Sequence, residues 1–371
     1  MAELEDWQIL VGLFPPTWEQ LGRSSGAVRR LRGFPSLEAL LRTLLLHVGC
    51  GWSLRETAVQ AKLAGLAEVS DVTLLNRLRD AENWLRQLCE LLLREQGVDL
   101  QPKIAGRRVR LLDATVVREP GQTGSQWRIH YSLRLPTLAC DYFVLTSPRG
   151  PDAGERFGKF AFQANEIVLA DAGYSNPPGI QAIREQKADV CVRLNPHSLP
   201  LYSEAGERFS LSAALSRLQQ AGEITEWPVR VHAGPQKLGG RLCAIRKSQA
   251  AIKRAERRLK DKQQKGKSVG PLTRICANYV LVFTTLPTQQ ATADKVLEMY
   301  RLRWQIELSF KRLKSIAQLG HLPKYDDRSS RAWLYGKLFL ALLAEKMARV
   351  GSTISPWGYS LPHTTDAQQV A

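Results

Sequence analysis

The chain reads as an α/β protein: a mixed sheet with flanking helices, an N-terminal helical domain before it and a β-rich insertion within it. Three observations predict this. Residues 1–100 hold Leu-rich, Arg-punctuated stretches at helical spacing. From 101 the texture turns to alternating and β-branched runs separated by Gly and Pro. Three strands in succession, then a strand, a helix and a strand, suit a mixed sheet with helices packed on it.

In the first hundred residues, SLEALLRTLLLHV and LLNRLRDAENWLRQLCELLLREQ carry the clearest 3.6-residue periodicity. Between them, SLRETAVQAKLAGLAEVSDVTLLNRLRDA reads as two helices joined by a turn. Ser53 caps the first, with Glu56 at its third position, and Ser70 or Asp71 caps the second. As a helix-turn-helix this segment would turn Thr73, Asn76, Arg77 and Arg79 toward DNA, giving the domain a DNA-binding role. A plain helical hairpin accounts for the same pattern.

Residues 101–196 form the first part of the core. RRVRLLDATVV, WRIHYSLRL and TLACDYFVLT are its first strands, EIVLADAGY a short apolar run stopped by a turn, IQAIREQKA a helix and DVCVRL another strand. Residues 197–278 fit this core poorly. They hold the strand-like EWPVRVHA and GRLCAIRK and then AIKRAERRLKDKQQKGKSVG, and read as a β-rich basic insertion. The basic run is either a DNA-contacting helix and loop or a solvated face. The core resumes over 279–350 with the strand NYVLVFTTLP, a long helix begun at Thr292 or Asp294, and the amphipathic WLYGKLFLALLAEKMARV. Residues 351–371 read as an extended tail.

At 371 residues the chain is long enough to bury a sizeable core, and 44% hydrophobic with 23% charged residues is ordinary globular composition. The charge balance is not ordinary. A formal net charge of +17 favours a polyanionic partner, because neutralising phosphates releases condensed counterions. The six cysteines show no CxxC pair or zinc spacing, which suits reduced thiols in a cytoplasmic protein. The N-terminal MAELEDWQILVGLF carries acids where a signal peptide needs bases, and no apolar run reaches about 18 residues, so no membrane partner is expected.

Three carboxylates stand out. Asp113 lies in VRLLDATVV on one strand face with Val109, Leu111 and Thr115, where a charge is costly unless compensated. Asp171 ends the apolar run IVLA, at the carboxyl edge of a strand where sites in α/β sheets collect. Glu307 lies in YRLRWQIELSFKRLKS. At about 100° per residue, Tyr300, Arg303, Glu307 and Lys314 fall at roughly 0°, 300°, 340° and 320°, one narrow helical stripe. Leu302, Ile306, Phe310 and Leu313 cluster beside it as a core-facing stripe. An all-oxygen set of two strand aspartates and a helix glutamate suits Mg²⁺ or Mn²⁺. A pair of such ions about 3.5–4 Å apart serves in-line displacement at phosphorus.

These motifs resemble the DDE transposases of the insertion sequence 4 family. The signature of that family's glutamate helix, Y-x2-R-x3-E-x6-K, is matched by Tyr300, Arg303, Glu307 and Lys314. LLDATVV followed by REPGQTGSQWRIHY, with Pro120, Gly121, Gly124 and Trp127, is similar to its first aspartate block, and LADAGYS to its second. The residue after Asp171 is Ala, where relatives often carry a basic or other polar side chain. The long interval from Asp171 to Glu307 matches the family's β-rich insertion. The resemblance covers about 105–350, with SPWGYSLP near the end.

The resemblance implies an RNase H-like catalytic core with Asp113, Asp171 and Glu307 as catalytic ligands of two Mg²⁺ ions, Mn²⁺ being the alternative. It implies that Tyr300, Arg303 and Lys314 hold transposon-end phosphates and help stabilise a DNA hairpin. Trp304, set for base stacking or for core packing, and Lys311 are further candidate DNA contacts. The expected protein is a bacterial transposase that is cytoplasmic, nucleoid-associated when bound to DNA, and homodimeric on it. Its DNA partners are the inverted-repeat ends and the target. An RNase H-like nuclease without strand transfer, or a non-catalytic DNA-binding relative, are the alternatives.

Overall fold

The structure, a computed structural model, describes residues 2–28, 30–95, 106–118, 126–146, 154–266, 268–316 and 326–352. Six helices come first: α1 (Ala2–Val11), α2 (Trp18–Ser24), α3 (Leu37–Cys50), α4 (Leu54–Leu63), α5 (Asp71–Asp80) and α6 (Glu82–Glu95). Strands β1 (Arg108–Arg118), β2 (Gln126–Leu135), β3 (Ala139–Thr146) and β4 (Glu166–Ala170) follow, then α7 (Pro177–Glu185), β5 (Asp189–Arg193) and α8 (Leu211–Leu215). Next come β6 (Ile224–Ala233), β7 (Gln236–Arg246), α9 (Gln249–Gln264), α10 (Pro271–Cys276) and β8 (Tyr279–Thr284). Two long helices, α11 (Ala293–Ile316) and α12 (Asp327–Ser352), close the order.

Among the described residues, the eight strands form one sheet in the order β3-β2-β1-β4-β5-β8-β7-β6. β1, β4 and β5 are parallel neighbours, and every other pairing is antiparallel. This is a mixed α/β architecture of RNase H-like type. The strand-like pieces of the 197–278 segment, β6 and β7, reach the sheet through β8 and extend it. β4 is buried along its whole length, as a central parallel strand covered on both faces should be.

Alternate residues of β1 and β4 serve different cores. Val109, Leu111, Ile167 and Leu169 face a layer built from the N-terminal helices, α11 and α12. Leu112, Val168 and Ala170 face α7 and the strands beyond. On the first layer α6, whose Trp84, Leu85, Leu88, Cys89, Leu92 and Leu93 are all buried, packs against α12, with Trp84 stacked on Trp18 of α2. Ion pairs fasten the same layers: Arg79 with Asp326 at 3.0 Å and Arg331 with Glu82 at 2.8 Å.

Local signals explain the helix starts. Ser53 and Ser70 accept from the backbone N–H of Glu56 and Thr73, so the two caps of the expected helical pair form. α4 and α5 are joined by a short turn. Asn76 remains exposed, but Arg77 donates to the Arg30 carbonyl and Arg79 is occupied by Asp326. α9 is the expected basic run, and Ile252 is its buried residue among many exposed Lys and Arg side chains. Cys50, Cys89, Cys191, Cys243 and Cys276 are free thiols. Among the described residues, no helix is long and apolar enough to cross a membrane. Pro120, Gly121, Gly124 and the 353–371 tail lie outside the described residues, as does the side chain of Trp127.

Candidate active site

The two aspartates meet through strand register. β1 and β4 run parallel with Leu111 opposite Leu169. Two residues further on, that register sets Asp113 beside Asp171, on the sheet face of Leu111 and Leu169 and at the carboxyl ends of both strands. Neighbouring strands lie about 4.8 Å apart, so the carboxylates are brought into mutual electrostatic reach. The Asp171 charge raises the cost of charge on Asp113 unless a cation intervenes.

Asp113 is closely surrounded. Its carboxylate accepts from Tyr131 Oη at 3.0 Å and from the Ala114 N–H at 2.8 Å. Tyr131 sits directly across the β1–β2 ladder. Burial pushes the Asp113 carboxyl above its usual range, and the Asp171 charge adds to this. The Arg303 guanidinium and the two hydrogen bonds oppose it without cancelling it. Asp171 begins a single 3-10 turn over Ala172–Tyr174, and its backbone carbonyl accepts from the Tyr174 N–H at 3.0 Å.

α11 lies over this edge. Thr292 takes the N-cap place, its carbonyl accepting from the Val296 N–H at 3.0 Å. Tyr300 Oη and Arg303 Nη2 both reach Asp171 Oδ1 at 3.4 Å. Arg303 is 1% exposed and lies over the Tyr300 ring at 5.0 Å. A guanidinium so buried needs charge nearby, and Asp171 and Asp113 supply it. Tyr300 and Arg303 are therefore directed at the aspartates. Leu302 packs against the core, as the apolar stripe requires. Trp304 is 48% exposed, which overturns the core-packing option for that ring. Glu307 follows Arg303 by one helical turn on the same stripe. The side chains of Glu307, Lys311 and Lys314 lie outside the described residues.

Besides Tyr131, the sequence did not single out Glu155 or Tyr174 as neighbours of the site. Glu155 lies in the connection between β3 and β4, and its Oε1 accepts from Arg128 Nη1 of β2 at 3.1 Å. The charges of Asp113 and Asp171 both act on it. Tyr174, the last residue of the LADAGY run, is wholly buried against Phe157. The LADAGY turn was visible in the sequence, but no periodic signal points to Glu155.

His130, on β2 opposite Ala114, is wholly buried, with Nε2 3.0 Å from Thr146 Oγ1 and 3.4 Å from Lys159 Nζ. Burial first, then Lys159 and Arg128, bring its pKa down to about 4. The unfolded chain takes up this proton near pH 6.5, while the folded one refuses it until about 4. Stability should therefore fall as pH drops through that window, and His130→Asn should flatten this limb in urea titrations from pH 7 to 4. An unchanged limb would show that His130 is protonated in the folded state.

The donors at this edge are anionic oxygens, a set that fits Mg²⁺ or Mn²⁺ and suits neither a thiophilic nor an imidazole-seeking ion. Among the described residues, no three Asp, Glu, His or Cys side chains form a ready-made cation cluster. Asp113 and Asp171 supply two carboxylates, with Arg303 as their internal counter-charge.

Comparison with known proteins agrees with this geometry. Residues 104–343 match the family described as the transposase DDE domain. The chain is 34% identical to the putative transposase InsL of insertion sequence element IS186A from Escherichia coli K12, over 92% of this chain and 93% of that protein. It is also 34% identical to the transposase of IS421 from Escherichia coli, over the same shares. The transposase of IS231F from Bacillus thuringiensis subsp. israelensis is 28% identical, over 64% of this chain and 56% of that protein. Two parallel strands ending in adjacent aspartates under an arginine-bearing helix, within a matched domain and alongside near full-length relatives, place this chain in the DDE transposase family of insertion sequences.

Proposed function

We propose that this transposase binds the inverted-repeat ends of its insertion sequence, cuts them, and joins the freed 3′-hydroxyls to target DNA, with a hairpin formed at each end. The observation that carries this reading is the β1–β4 register that sets Asp113 beside Asp171. Glu307, one turn beyond Arg303, is the third carboxylate of the proposed set. Asp113, Asp171 and Glu307 would hold two Mg²⁺ ions, with Mn²⁺ as a substitute. Such ions activate an attacking oxygen and stabilise the leaving one.

The protein's own groups have separate tasks. Arg303 and Tyr300, both buried against Asp171, fix the orientation of that carboxylate. Tyr131 and the Ala114 N–H fix Asp113. Lys311 and Lys314 continue α11 past Glu307 and suit DNA phosphates. α9 and the N-terminal helices add basic or exposed polar surface for the same polyanion. Cutting two ends together needs two centres, hence a homodimer on DNA.

The test is cleavage of a linear duplex carrying the terminal repeats that flank the gene, with Mg²⁺ and a target plasmid. Joined products are expected. Cutting without joining would reduce the protein to a nuclease, and no metal-dependent product would overturn the reading.

Trp304 offers a separate check. An exposed indole next to the candidate site is suited to stack on an unpaired base, worth about 1–3 kcal/mol. Trp304→Ala should weaken binding of flapped or unpaired repeat ends by about that amount in fluorescence anisotropy while leaving the melting temperature unchanged. Equal affinity for both proteins would remove Trp304 from the DNA contacts.

A further inference from the structure

We propose that Glu155 is a positioning residue of the catalytic centre: anchored by Arg128 and seated over Gly173, it holds the Asp171 turn and lends the centre a further negative charge. The inference rests on the proposed cation site of Asp113 and Asp171 and extends it to a residue outside the DDE set.

Geometry carries the argument. Arg128 stands on β2, the neighbour of the Asp113 strand, and its Nη1 grips Glu155 Oε1 at 3.1 Å. The other oxygen, Oε2, lies against Gly173, two residues past Asp171. A Cβ built at Gly173 would overlap that oxygen, so a side chain there would push the Glu155 carboxylate aside. Among the described residues Oε2 has no hydrogen-bond donor. One carboxylate thus spans from the β2 strand next to Asp113, where it is bonded, to the turn that carries Asp171, where it packs.

Two further observations point the same way. The charges of Asp113 and Asp171 act on Glu155 and, with burial as the larger cause, push its carboxyl upward. A third acid kept beside two others stabilises nothing on its own; it raises the attraction of the edge for a cation. Tyr174, at the end of the same turn, is wholly buried, and its hydroxyl has no partner among the described residues. The Glu155 and Asp113 charges act on that hydroxyl too. A buried phenol without a partner beside acidic groups marks a place where a ligand or its water completes the bonding.

Because Glu155 acts through the turn and through its charge, it is not assigned as a metal ligand. Supporting groups of this kind typically change metal affinity by about 10–100-fold. The experiment is Mn²⁺ binding to the metal-free full chain, followed by electron paramagnetic resonance of the free ion, with thermal unfolding in chelator alongside. Glu155→Gln keeps the shape and an acceptor for Arg128 but removes the charge. It should weaken Mn²⁺ binding about tenfold while leaving the chelator melting temperature unchanged. Gly173→Ala, which displaces the Glu155 carboxylate without altering any charge, should weaken binding likewise and serves if Glu155→Gln fails to fold. Asp113→Ala is the control and should lose binding. Wild-type affinity in Glu155→Gln and Gly173→Ala, with binding lost in Asp113→Ala, overturns this inference alone. Unchanged affinity in all three overturns the cation site and this inference with it. A lowered chelator melting temperature at unchanged affinity shows a structural role only and also overturns it.

Discussion

Asn in place of Asp113 or Asp171 should cut DNA end cleavage by roughly a thousandfold or more, since metal stabilisation of charge is worth several kcal/mol and each 1.36 kcal/mol is tenfold in rate. Both substitutions keep the side-chain volume, so the loss reports charge and ligand chemistry rather than packing. Their effects on the metal-free fold should differ. Asp113 carries a carboxyl whose folded pKa is raised, chiefly by burial. Such a group binds its proton more tightly in the folded state, so it costs stability above the folded pKa and costs nothing below the unfolded one. Asp113→Asn removes that cost and should melt no lower than the wild type at pH 7 in chelator. Asp171 instead faces the buried Arg303 guanidinium at 3.4 Å. Asp171→Asn strips charge from that partner and should melt lower. Cleavage near wild-type rate in either folded variant would remove that residue from the site. A reversed order of melting would show that Arg303 takes its counter-charge mainly from Asp113.

Much of this edge was legible in the sequence because each aspartate has a local signature. Asp113 shares a strand face with Val109 and Leu111, and Asp171 stops a fully apolar strand. Their adjacency was not local information. It depends on pairing Leu111 with Leu169 across a long stretch of chain, and no periodicity within either strand fixes that register. The polar stripe of α11 was equally visible, but a stripe does not say whether it meets solvent or an acidic edge. Arg303, expected at DNA phosphates, is buried against Asp171 because the helix lies on the sheet rather than beside it. Trp304, 100° further round, is left outside. β6 and β7 were recognised as strands, yet their joining of the central sheet rests on β8, whose two edges pair with β5 and β7. Glu155 left no trace at all. It lies in a connection without periodic pattern, and its contacts are to residues distant in sequence.

Arg110→Met should destabilise the fold by about 3–5 kcal/mol, the usual effect of removing one member of a buried ion pair. Arg110 is 4% exposed and donates to Glu166 at 3.1 Å, to Ser132 Oγ at 2.9 Å and to the Ala161 carbonyl at 2.6 Å. Glu166 is fully buried, and its Oε1 has no hydrogen-bond partner among the described residues. Without Arg110 the Glu166 carboxylate keeps only the Gln163 N–H at 3.0 Å and the exposed Arg108 at 3.9 Å. The penalty is therefore an uncompensated charge rather than one lost contact. Arg110 also pairs with Asp141 at 3.2 Å, but Asp141 keeps Arg134 at 2.6 Å, so Arg110→Met/Glu166→Leu removes the one stranded charge and should recover most of the loss in urea titrations. The pair also crosses from β1 to β4, three residues before Asp113 and five before Asp171, so it braces the register on which the aspartates meet. If the double variant regains stability but not DNA cleavage, the ion pair is what holds that register. If both return, the apolar ladder of Val109, Leu111, Ile167 and Leu169 suffices to align the site. Wild-type stability in Arg110→Met alone would sink the charge-compensation argument.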